Sequence, residues 1–69
     1  MKSPRPGDKV EWNTSQGVTR GTVVRRVTAQ AHVEGHVARA SPAHPELEVR
    51  SDRSGRHAIH RPEALRKVR

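Results

Sequence analysis

Residues 46–60 read ELEVRSDRSGRHAIH, and this stretch decides the fold. From Glu46 to Arg50 polar and apolar residues alternate strictly, so Leu47 and Val49 share one face of a strand. Asp52-Arg53-Ser54-Gly55 has the composition of a tight turn, with Gly55 where a positive φ is needed. His57-Ala58-Ile59-His60 returns as a second strand, with Ile59 assigned to the core. Two such strands joined by a short polar turn form an antiparallel hairpin.

The same alternation appears upstream. Lys9-Val10-Glu11-Trp12-Asn13 places Val10 and Trp12 on one face. Thr14 to Gly17 is a polar turn. Val18 to Thr28 is rich in Val and Thr, which favours strand. Gly21 interrupts this segment, as expected where a strand bends sharply. Val23 and Val27 are read as inward, with Val24 on the other face. Residues 28–34 are read as a loop, and Gly35 to Ser41 as a weak strand carrying Val37 inward. Pro42-Ala43-His44-Pro45 is a turn, because two prolines remove ladder donors. Downstream, Pro62-Glu63-Ala64-Leu65 suits one short helical turn with proline at its first position, and Leu65 closes the core. The sum is an all-β domain of five short strands, a small barrel of the SH3 type with a short C-terminal helical turn. Residues 1–6 read as a flexible basic arm, and residues 7–69 as the single barrel.

Composition bounds the function. The chain has 69 residues and a formal net charge of +7. Length allows one small domain. The absence of cysteine excludes disulfides and thiolate metal sites. No stretch approaches the roughly 20 apolar residues of a membrane span, and no apolar run follows the basic residues of the start. A cytoplasmic monomer that does not engage membranes is the expectation. The basic excess is mostly arginine and leans toward the end, with seven basic residues against Asp52 and Glu63 from Arg50 onward. A basic surface attracts polyanions, chiefly nucleic acid.

Three stretches carry a family pattern: GDKVEW from Gly7, GVTRGTVVRRVT from Gly17, and SDRSGRHAIHRPEAL from Ser51. Together they resemble the small hypervirulence-associated protein Tudor-domain family over about Gly7 to Val68. The resemblance implies a Tudor-type barrel that stands alone and has no established enzyme activity. The opening strand and glycine bend also resemble a KOW element, an RNA-binding barrel motif. Tudor domains that read methylated side chains use an aromatic cage. Leu47 stands where the resemblance leads one to expect an aromatic ring, and one tryptophan cannot build a cage.

The candidate functional residues follow from the charge. Arg50, Arg53, Arg56 and Arg61 cluster around the Asp52–Gly55 turn and its outgoing strand. With Arg25 and Arg26 they make a phosphate-tracking surface, nonspecific and salt-sensitive because no base-reading motif is present. The alternative is a protein-interaction adaptor that offers a strand edge or a barrel groove to a partner protein. The expected core is Val10, Trp12, Val23, Val27, Val37, Leu47, Val49, Ile59 and Leu65. His32 and His36 have a ligand spacing only on a helix, and His57 and His60 fall on opposite faces of a strand, so no metal site is assigned. Ser51, Asp52, Ser54 and His57 are read as turn and strand residues rather than a catalytic set. No cofactor and no small-molecule substrate is expected.

Overall fold

The computed structural model describes residues 3–68. Seven strands form: β1 (Lys9–Thr14), β2 (Gly17–Val27), β3 (Gln30–Val33), β4 (His36–Arg39), β5 (Glu46–Ser51), β6 (His57–His60) and β7 (Arg66–Lys67). A single 3-10 turn, Pro62–Ala64, precedes β7. Five strands make one antiparallel sheet in the order β6-β5-β2-β1-β7, and β3 and β4 make a separate hairpin. The architecture is all-β and Tudor-like.

β2 organises the sheet because it is long enough to pair twice. Its first half pairs with β1 and its second half with β5. Gly21 stands at the junction, opposite Val10 on one side and Ser51 on the other. The packing there requires glycine. A Cβ at position 21 would overlap the Arg50 carbonyl oxygen and lie 2.7 Å from Trp12 Cη2. The bend expected at this glycine is therefore also a point of close approach between three strands.

The main core gathers Val10, Trp12, Val23, Leu47, Val49 and Leu65, with Ala58 packed against it. Leu47 and Val49 lie inward from β5, and Val10 and Trp12 from β1, as strand alternation requires. A smaller cluster forms on the other face of β6 from Ile59, Val33 and Ala38, with Ala31 alongside. Ile59 is thus buried, but against the β3–β4 hairpin.

Three features depart from the sequence expectation. First, the fifth strand of the main sheet is β7. The 35–41 segment pairs instead with residues 30–33, which form a strand and not the expected loop. The turn between them, Glu34-Gly35, has φ +51° and +78°, the two positive values a two-residue hairpin turn needs. Second, Val37 is 41% exposed, while its neighbour Ala38 is buried. The turn sets the phase: Ala31 pairs with Ala38 on the covered face, and His32 with Val37 on the open one. Third, β2 carries a bulge between Val23 and Arg25. Before it Val23 pairs with Val49, an inward residue. After it Val27 pairs with Glu46, which shares the outward face of Glu48. Val27 is buried, yet on the face opposite Val23.

The arm read over residues 1–6 lies partly outside the described residues, which begin at Ser3. Its end is built into a turn. Asp8 N–H donates to the Arg5 carbonyl at 2.9 Å, and Arg5 N–H donates to Asp8 Oδ2 at 2.9 Å.

Candidate nucleic-acid interface

The outer face of the main sheet is ordered in rows. Lys9, Thr22, Arg50 and His57 are successive cross-strand partners on β1, β2, β5 and β6. Partners in such a row project from the same face. Lys9 Nζ donates to Thr22 Oγ1 and to Asp52 Oδ2, both at 2.8 Å, and Thr22 Oγ1 donates to Asp52 Oδ1 at 3.2 Å. The hydrogen bond from Lys9 holds the Asp52 carboxyl below its ordinary range. The β5–β6 turn is thereby tied to β1 and β2 through Asp52.

A second row runs Arg25, Glu48 and Ile59. Glu48 is 8% exposed, a buried carboxylate at the middle of the sheet. Its Oε1 accepts from Arg25 Nε at 2.7 Å, and its Oε2 lies 2.6 Å from His57 Nδ1. Burial pushes the Glu48 carboxyl up, but the hydrogen bonds from His57 and Arg25 outweigh it, and the net direction is down. Composition and spacing do not mark this anchor. The strict alternation of β5 does place Glu48 on the face away from Leu47 and Val49. What alternation cannot show is the β3–β4 hairpin that shields that face.

The six arginines expected to contact phosphate divide. Arg50, Arg53 and Arg56 gather around the β5–β6 turn, and all three are exposed. Arg56 Nη2 is 3.7 Å from Glu34 Oε1. Arg50 and Arg53 form no ion pair among the described residues. Arg25 belongs to the same face but is engaged by Glu48. Arg26 and Arg61 stand apart. Arg26 pairs with Leu47, and Leu47 with His60, three positions from the Arg50–His57 pair. At about 3.4 Å per residue that is on the order of 10 Å along the strands. As adjacent strand residues, Arg25 and Arg26 also project to opposite faces. Lys9 joins the first group in addition to the expected arginines, and its alternation with Val10 and Trp12 is the signal that places it outward.

The remaining polar side chains of the turn have structural partners. Ser51 Oγ accepts from Ser54 N–H at 3.3 Å, and Ser54 Oγ accepts from Arg56 N–H at 3.2 Å. His57 and His60 lie on opposite faces of β6. The His60 ring packs on Trp12 with centroids 5.4 Å apart. His32 and His36 sit on different strands and opposite faces of the β3–β4 hairpin. Among the described residues no three His, Asp or Glu side chains converge as a metal site would require.

The arrangement offers exposed guanidinium groups around one turn. Such groups donate paired hydrogen bonds to phosphate oxygens. No described helix is long and apolar enough to cross a membrane.

A family model described as hypervirulence associated proteins TUDOR domain matches residues 7–65. No curated protein and no solved structure matches the chain significantly.

Proposed function

We propose that this chain, which belongs to the hypervirulence-associated protein TUDOR-domain family, is a noncatalytic binding module that holds the phosphate backbone of nucleic acid at the end of the sheet bearing Arg50, Arg53 and Arg56. One observation carries the reading: Arg50 and Arg53 are exposed with no ion pair among the described residues, beside Lys9 and Arg56. Acidic partners elsewhere absorb Arg20, Arg25, Arg66 and Lys67. Arg50 and Arg53 thus leave uncompensated charge at the β5–β6 turn. Binding through such groups releases counterions and carries little sequence preference.

A methyl-lysine reader would need exposed aromatic rings. Trp12 is 5% exposed and packed in the core, which argues against that use.

The test is charge reversal at the turn. Arg53→Glu with Arg56→Glu should weaken binding to a labelled oligonucleotide. The slope of log affinity against log salt should fall by about 1 for each phosphate that is no longer neutralised. Unchanged affinity and slope would remove the turn from the interface.

A second reading is favoured by the edge of β6, which among the described residues pairs only with β5. That edge suits a partner protein supplying an extended strand. A defined protein partner retained after nuclease treatment and high salt supports this reading.

A further inference from the structure

A cleft of about 480 Å³ opens between β4, the end of β6 and the 3-10 turn. It lies at the end of the sheet away from the β5–β6 turn. Its size is within the usual range for one small ligand, about 300–1,000 Å³. Arg39 and Arg61 line it, and so do Glu46 and Glu63. None of these four forms an ion pair among the described residues, although both signs share one cleft. His36 and His60 complete the polar lining.

A simple anion is a poor match for this lining, because Glu46 and Glu63 repel it. A simple cation is repelled by the two arginines. A ligand that carries a phosphate and an edge of hydrogen-bond donors satisfies both pairs. Nucleotides have that construction. Guanidinium groups take the phosphate, and carboxylates accept from the amino groups of cytosine, adenine or guanine.

His60 lines the cleft beside these charged side chains. Its Nε2 is buried with no hydrogen-bond partner among the described residues, and it is closed to a ligand in the cleft. The ring is held in place by Trp12. Burial, with His36 nearby, depresses the His60 pKa and favours the neutral imidazole.

We infer that this cleft receives one unstacked nucleotide of a single strand, with Arg39 and Arg61 on the phosphate and Glu46 and Glu63 on the base edge. The inference rests on the reading of the chain as a nucleic-acid-binding module and adds a preference to it. In a duplex each base is stacked and paired, and its Watson–Crick edge is not available. The β5–β6 turn then serves either form of nucleic acid, and the cleft serves only single strands.

The experiment compares two double variants on a labelled cytosine-rich single strand and on its duplex. Arg39→Ala with Arg61→Ala should weaken single-strand binding about tenfold, the scale of a charge-assisted phosphate contact removed, and duplex binding less than about twofold. Addition of cytidine monophosphate should shift the amide signals of Arg39, His60 and Arg61, and inorganic phosphate alone should shift them less. An equal loss on both strand forms, or no loss on either, overturns the cleft assignment. Arg53→Glu with Arg56→Glu keeps the two readings separable. If it still weakens both forms while the cleft variant weakens neither, the module binds nucleic acid without the cleft. If wild-type protein binds neither form, both readings fall.

Discussion

Trp12 fills the space that a side chain at Gly21 would need, with its Cη2 2.7 Å from the position of a Cβ there. The same Cβ would overlap the Arg50 carbonyl oxygen, which is fixed by the β2–β5 pairing. Neither neighbour moves cheaply, one being backbone and the other the largest core ring. Gly21→Ala should therefore cost about 3 kcal/mol, the upper end for forced overpacking. Urea unfolding monitored by Trp12 fluorescence measures it. A midpoint shift worth under about 1 kcal/mol contradicts the close approach.

Trp12 itself is the largest contributor to the main core, with Val10, Val23, Leu47, Val49 and Leu65 around it. Removing a buried ring typically costs about 3–5 kcal/mol. A domain of this length has about that much stability in total. Trp12→Ala should leave a chain without a cooperative thermal transition, read by circular dichroism. A sharp transition in the variant refutes the assignment of the core.

Glu48 connects acidity to folding. Its folded carboxyl lies below the ordinary value of 4.5. A group with a depressed folded pKa contributes stability above its unfolded pKa and loses it as pH falls through the folded one. Stability should drop on acidification below about pH 4.5, and Glu48→Gln should flatten that limb of the curve. Glu48→Ala should cost about 1–3 kcal/mol at neutral pH by removing the bonds to Arg25 and His57. Denaturant titrations of wild type and both variants from acid to neutral pH supply the comparison. An acid limb that survives Glu48→Gln unchanged assigns the effect to other carboxylates.

The β3–β4 hairpin gives a pair of opposite expectations. Val37→Thr lies on the open face and should change stability by no more than about 0.5 kcal/mol. Val33→Ala removes packing against Ile59 and Ala38 and should cost about 1–2 kcal/mol. Equal costs for the two substitutions would place the hairpin the other way up.

Period-two alternation makes β1 and β5 legible, because each has one face on a core and one toward polar groups. It also separates Leu47 and Val49 from Glu48. β6, by contrast, is covered on both faces, by the main core at Ala58 and by the β3–β4 hairpin at Ile59. The β3–β4 hairpin is obscure for a physical reason. Its covered face is supplied by Val33 with Ala31 and Ala38, two small residues whose apolar signal is weak, while Val37 faces outward. The turn that fixes this phase uses Glu34 at φ +51°, a conformation more often held by Asn, Asp or Gly. The grouping of Arg50, Arg53 and Arg56 follows from their proximity along the chain. The separation of Arg25 from Arg26 follows from strand alternation, but that Arg25 is the one that meets Glu48 depends on the bulge in β2. The nearness of Arg39 to Arg61 is a product of tertiary packing, with 21 intervening residues between them.

The bulge between Val23 and Arg25 makes length itself a carrier of meaning in β2. One surplus residue lets a single strand furnish two interiors of different make: Val23 for the chamber around Trp12, Val27 for the opposite side. A regular ladder that kept Val24 paired would set Val24 against Glu48 and Arg25 against Leu47, and Val27 would fall on the same face as Val23. The looped-out position thus decides which residue meets the buried carboxylate and which interior Val27 serves.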